Sequence, residues 1–112
     1  MRKILALAVI AAFGLALAQK AAAKANPQAG KEKASQICAA CHGAEGNKPV
    51  APDQPIIAGQ HYDYLIKALS DYRSGKRKNP IMKGFAASLS NKDIEDLAAW
   101  FASQPSTLHT ER

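Results

Sequence analysis

The chain has 112 residues, 15 Lys+Arg against 9 Asp+Glu, and 47% hydrophobic residues. Four of the basic residues, Arg2, Lys3, Lys20 and Lys24, fall in the first quarter, so the rest of the chain carries 11 basic against 9 acidic residues, a net of +2. That small excess, with no stacking motif beside it, excludes a nucleic-acid binder, and the length allows one small domain.

Arg2 and Lys3 precede an uncharged run from Ile4 to Ala18, followed by small residues with candidate cleavage points such as Ala23-Lys24-Ala25. This layout predicts a secretory signal peptide over 1–25, cleaved to leave a working domain over 26–112. The run is short for a membrane span, which needs about 20 apolar residues. The leader has no cysteine, which argues against a lipid anchor.

Asn26-Pro27 reads as an N-cap with proline at the first helical position. Gly30, Ala34, Ile37, Cys38 and Cys41 then recur on one face, predicting a helix over 27–41. Its end carries Cys38-Ala39-Ala40-Cys41-His42. A C-x-x-C-H run is an attachment site for c-type haem. Two thiols at this spacing can bond both vinyl groups of one porphyrin, and the next residue can offer imidazole to the iron. A redox dithiol or half of a zinc site would need a thioredoxin-like context or a second ligand pair. The chain has only these two cysteines, and the other histidines, His61 and His109, stand alone.

Residues 43–59 hold three prolines and three glycines and read as an ordered, compact loop. Tyr62, Leu65, Ile66 and Leu69 are spaced i, i+3, i+4, i+7 and predict a helix over 61–74, with Gly75 as its stop. Residues 73–89 read largely as loop. Ser90 with Asp93 resembles a capping box. Ile94, Leu97, Ala98 and Phe101 predict the last helix, ended by Pro105, and 106–112 reads as a frayed tail. The reading is all-α, with three main helices. A porphyrin disc would supply the apolar surface that so short a chain lacks, so folding and haem attachment are expected to be coupled.

Haem iron takes six ligands, of which the porphyrin and His42 supply five. Met82, the only methionine after the first residue, is the expected sixth, because a soft thioether favours ferrous iron. His61 is the rival. Arg73, Lys76, Arg77, Lys78 and Lys83 crowd the segment around Met82 and read either as a solvated loop or as a docking patch.

These features together resemble the class I cytochromes c, in particular the small bacterial periplasmic type similar to one lobe of the cytochrome c4-like proteins. The resemblance spans about residues 28–104. It rests on Cys38-Ala-Ala-Cys41-His42-Gly43, Pro55-Ile-Ile-Ala-Gly59-Gln60, Asn79-Pro80-Ile81-Met82, and Leu89-Ser90 leading into Asp96-Leu97-Ala98-Ala99-Trp100. It implies one covalently bound haem c per chain, on Cys38 and Cys41, with His42 and Met82 on the iron. It implies that the Pro55 carbonyl accepts a hydrogen bond from His42, and that Gln60 and Tyr64 are available to a haem propionate. Ile57 and Phe85 become pocket wall. Gly30 falls where the first and last helices cross, with Leu97 and Trp100 opposite. Ala34 departs from the pattern, since many relatives carry an aromatic there.

The implied function is one-electron transfer in the bacterial periplasm, with no catalytic residue. Partners would be redox proteins such as membrane oxidoreductases or terminal oxidases, met as a monomer or weak dimer. An alternative is the haem subunit of a dehydrogenase or sulfur-oxidising complex. A gas sensor or peroxidase-like enzyme would need an open sixth position, against which Met82 argues.

Overall fold

The computed structural model describes residues 24–108, which are helical with no strand. Residues 1–23 of the expected 1–25 signal peptide, and His109, lie outside the described residues. Five helices follow in order: α1 Pro27–Ile37, α2 Ala39–His42, α3 Tyr62–Ser74, α4 Pro80–Ala86 and α5 Asn91–Ala102.

The start of α1 is built as its sequence dictates. The Asn26 side chain accepts from the backbone N–H of Gln28 and Ala29, and Pro27 gives up a donor that would have no helical partner. The expected helix over 27–41 is present but broken at Cys38, which lies between α1 and α2. Helical hydrogen bonds still run across the break: Cys38 N–H donates to the Ala34 carbonyl at 2.8 Å and His42 N–H to the Cys38 carbonyl at 3.0 Å. The break is therefore a local turn and not the end of the rod.

The segment expected as loop over 73–89 contains α4. Asn79 caps it by accepting from Ile81 and Met82 N–H, and Pro80 is its first residue. Seven residues are too few to show a helical period, and Gly84 lowers the propensity further. The cap-proline pair, identical in kind to Asn26-Pro27, was the usable signal. Gly75 ends α3 in the left-handed conformation, φ 82°, where a side chain would be strained. At α5 the capping box is complete, with Ser90 and Asp93 each accepting from the other's backbone N–H at 3.0 Å.

The core gathers Ala34, Leu65, Ala86, Leu89, Ile94, Leu97, Ala98 and Phe101. The α1–α5 crossing is its tightest point. A Cβ on Gly30 would lie 2.0 Å from the Asp96 carbonyl oxygen, so only glycine lets the two backbones meet. Trp100 is half-buried beside it and donates to the Ala44 carbonyl at 3.1 Å, tying the loop after α2 to α5. The buried Asp96 carboxylate accepts from Asn26 backbone N–H at 2.7 Å and pairs with Lys92. Burial of a carboxylate is tolerated because it is paired and hydrogen-bonded.

The long loop is ordered, as expected. Ile57 and Ala58 N–H donate back to the Gly46 carbonyl, and Gly59 N–H reaches the Phe101 carbonyl at 2.8 Å. The expected fraying of 106–112 does not begin at once, because Ser106 packs against Gly59. Gly59 is bare of a side chain, and that bareness makes the seat for Ser106.

Candidate cofactor site

Four segments converge on one cavity of about 420 Å³. The α1–α2 turn brings Cys38, Cys41 and His42, the long loop brings Pro55 and Gln60, and α3 and α4 bring Tyr64 and Met82. These seven candidate cofactor-binding residues therefore line the same space. Leu65, Leu97, Phe101 and three alanines, Ala68, Ala86 and Ala98, form much of its wall. Small side chains there leave room for a flat group between helices. The volume is in the range of small-molecule and cofactor pockets, about 300–1,000 Å³.

His42 is buried, and its Nδ1 lies 3.0 Å from the Pro55 carbonyl oxygen. A carbonyl only accepts, so Nδ1 carries the proton and donates. That assigns the tautomer and leaves Nε2 with its lone pair free for a metal. Met82 is half-buried on the cavity wall; His61 is exposed and does not line it.

Cys38 is poorly suited to act as a redox nucleophile. Burial, with Cys41 beside it, pushes the Cys38 thiol up to about 11. Reactive C-x-x-C sites depend on the opposite shift. Among the described residues no three His, Cys, Asp or Glu side chains cluster to hold a metal ion.

Gln60 and Tyr64 line the cavity with their polar groups engaged. Gln60 Oε1 accepts from His61 N–H at 2.8 Å, and Tyr64 Oη accepts from Arg77 Nη1 at 3.0 Å. Arg77 itself lines the cavity, which the sequence did not reveal. Its guanidinium stands 4.9 Å from the centre of the Tyr72 ring. The two tyrosines, eight residues apart and so on one face of α3, were the available clue. Arg73 also leaves the basic patch: it donates to the Leu89 carbonyl at 3.0 Å and to Asn91 Oδ1 at 2.7 Å, joining α3 to the start of α5. Lys76, Lys78 and Lys83 remain exposed.

The sequence profile of the cytochrome c family matches residues 27–105. The chain belongs to the cytochrome c family. This cytochrome c is 47% identical over 90 residues to cytochrome c4 of Pseudomonas aeruginosa, covering 80% of this chain and 44% of the relative. It is 40% identical over 101 residues to the thiosulfate dehydrogenase electron acceptor of Stutzerimonas stutzeri, covering 88% and 47%. Among solved structures it resembles reduced recombinant cytochrome c4 from Pseudomonas stutzeri, with a TM-score of 0.66 at 40% identity over 72% of this chain and 46% of that one. The chain thus spans less than half the length of these relatives.

Membership makes haem c, covalently bound, the cofactor of this cytochrome c. The cavity fits it on independent grounds. The attachment motif lies on its wall, His42 is oriented with one nitrogen free, and the lining is apolar apart from a few polar groups.

Proposed function

We propose that this cytochrome c is an electron carrier of the bacterial periplasm. The observation that carries the reading is the convergence of Cys38, Cys41, His42 and Met82 on a single apolar cavity. Residues 1–25 act as an export leader and 26–112 as the working domain. Among the described residues no helix is long and apolar enough to cross a membrane.

When bound, haem would supply one-electron chemistry between Fe(III) and Fe(II). The remaining work falls to the chain. Cys38 and Cys41 anchor the porphyrin through two thioethers. His42 offers Nε2, held in orientation by the Pro55 carbonyl. Met82 would offer its thioether to the iron, a ligand that favours the ferrous state. Leu65, Leu97 and Phe101 keep water from the site. Ile81 and Phe85 line the cavity yet stay exposed, giving an apolar rim through which a partner can approach.

Partners are redox proteins with an acidic docking face, steered by Lys76, Lys78 and Lys83. The relative named as an electron acceptor for thiosulfate dehydrogenase supports a dehydrogenase as one donor class.

The test is an absorption spectrum of purified protein with acid-acetone extraction. Narrow reduced bands and a haem that resists extraction are expected, together with a weak near-infrared sulfur-to-iron band in the oxidised form. In the Cys38→Ser/Cys41→Ser double variant the haem should extract. Retention in that variant would overturn the attachment reading, and a missing near-infrared band would remove Met82 from the iron.

A further inference from the structure

Pro55, whose carbonyl holds the His42 ring, has little packing of its own. It is exposed, as are Val50, Pro52 and Asp53 before it, and the buried core resumes only at Ala58. Hydrogen bonds must therefore fix where its carbonyl points. Downstream they are backbone bonds, from Ile57 and Ala58 N–H to the Gly46 carbonyl at 2.8 and 3.1 Å. Upstream the hold comes from a side chain, that of Gln54.

Gln54 closes a turn with Ala51, its N–H donating to the Ala51 carbonyl at 3.1 Å. Pro52 suits the second position of that turn, where its fixed φ is already correct. The Gln54 side chain then doubles back. Its Oε1 accepts from Val50 N–H and from Ala51 N–H, both at 3.1 Å. Both partners are donors, so the amide oxygen and not its nitrogen faces them. Val50 N–H is shared, and also reaches the Cys41 carbonyl at 3.1 Å. A closed ring results. It runs from His42 Nδ1 to the Pro55 carbonyl at 3.0 Å, along the chain to the Gln54 amide, across to Val50, on to the Cys41 carbonyl and back to His42. Gln54 is half-buried and lines the cavity itself.

We propose that Gln54 is a positioning residue: through this ring its side-chain oxygen fixes the Pro55 carbonyl on His42 Nδ1 and thereby sets how strongly His42 donates to the iron. It rests on the haem-carrier reading. A firm bond from Nδ1–H to an acceptor makes the imidazole a stronger donor. A stronger donor favours Fe(III), so loosening the bond should shift the equilibrium toward Fe(II). That sign is diagnostic. A loop that merely opened would admit water, whose polarity favours the more highly charged Fe(III), the opposite direction.

The test uses the full haem-loaded protein as wild type, Gln54→Leu and Gln54→Glu. Leucine keeps bulk and removes the acceptor, whereas glutamate keeps an acceptor oxygen at the same reach. Solvent exchange of the His42 Nδ1–H proton is followed in the reduced protein by nuclear magnetic resonance, and the midpoint potential is measured beside it. In Gln54→Leu the exchange should be about tenfold faster, the scale of one or two neutral hydrogen bonds. The Fe(III)/Fe(II) equilibrium should shift toward Fe(II) by about two- to fivefold, tenfold being about 59 mV for one electron. In Gln54→Glu the exchange should stay within about twofold of wild type, since a carboxylate oxygen accepts the same bonds. Only exchange is compared there, because the added negative charge favours Fe(III) on its own account. Unchanged exchange or an unchanged potential in Gln54→Leu would overturn the proposal. So would a shift toward Fe(III), which would make Gln54 a barrier to water and no more. Exchange in Gln54→Glu as fast as in Gln54→Leu would also overturn it, because the acceptor oxygen would not be responsible. Wild-type protein that retains no covalent haem would instead overturn the carrier reading beneath it.

Discussion

Gly30 and Gly84 are both helical glycines, and the same change, glycine to alanine, should act on them in opposite directions. In a helix the exchange normally gains about 1 kcal/mol of propensity. At Gly84 a Cβ meets nothing within 4 Å, so that gain should be realised. At Gly30 the new Cβ would lie 2.0 Å from the Asp96 carbonyl oxygen and 2.5 Å from its carbon, where real contacts almost never fall below 3.0 Å. Both obstructing atoms are backbone, so no rotamer change relieves them, and α1 and α5 must part by about 1 Å. Overpacking of this kind costs about 1–3 kcal/mol, occasionally more. With the strain at the upper end, Gly30→Ala should come out about 2 kcal/mol less stable than wild type and about 3 kcal/mol below Gly84→Ala. A domain of this size changes its Tm by about 4–8 °C per kcal/mol. Thermal and guanidinium unfolding of the haem-loaded proteins, followed by far-ultraviolet circular dichroism, would measure both. If Gly30→Ala matched Gly84→Ala in stability, the close crossing of α1 and α5 would be wrong.

Met82→Ala should keep the covalent haem but lower the potential by on the order of 0.1 V, within the roughly 0.8 V that axial ligands command, and let carbon monoxide bind the reduced form. An unchanged potential would give the sixth position to another group. The Ser90 backbone N–H holds the Asp93 carboxyl below the usual carboxylate range. A depressed folded pKa contributes stability that is present above the unfolded value of about 3.9 and lost as pH falls through the folded one. The Tm gap between wild type and Asp93→Asn should therefore be open at neutral pH and closed in acid; a gap independent of pH would refute it. Reversing Lys76 and Lys78 to Glu should slow electron exchange with an acidic partner about tenfold at low salt, and the difference should vanish near 1 M, where the Debye length is about 3 Å. Equal rates at low salt would return these lysines to plain solvated surface.

The features legible in the sequence were the local ones. Asn26-Pro27, Ser90 with Asp93, and Gly75 each announce a helix boundary through the backbone within three residues, and each stands where it was read. The period of Tyr62, Leu65, Ile66 and Leu69 was long enough to count, whereas α4 spans barely two turns and shows no period. The motif residues were legible because their spacing is itself the chemistry. The Cys38 turn, the burial of Asp96 and the separate duties of Arg73 and Arg77 were not. Each depends on a partner 13 or more residues away or on packing, as with Arg77 and Tyr64 or Arg73 and Leu89. Charge clustering along the chain suggested one patch, and the fold spent two of its five members on internal bonds.

The contact between Asn26 and Asp96 changes its nature with the proposed removal of the leader. Before cleavage after Ala25, the donor 2.7 Å from the carboxylate is a neutral peptide N–H. Afterwards it is the α-ammonium of a new chain terminus. An ammonium beside the N-terminus of α1 would by itself oppose the helix dipole, and the buried carboxylate offsets it. Bonds in which a partner is ionised are roughly twice as strong as neutral ones. Proteolytic maturation would thus tighten the joint between the first and last helices. The precursor would stay looser on the cytoplasmic side of the membrane, and the domain would reach its full hold in the compartment where haem is attached.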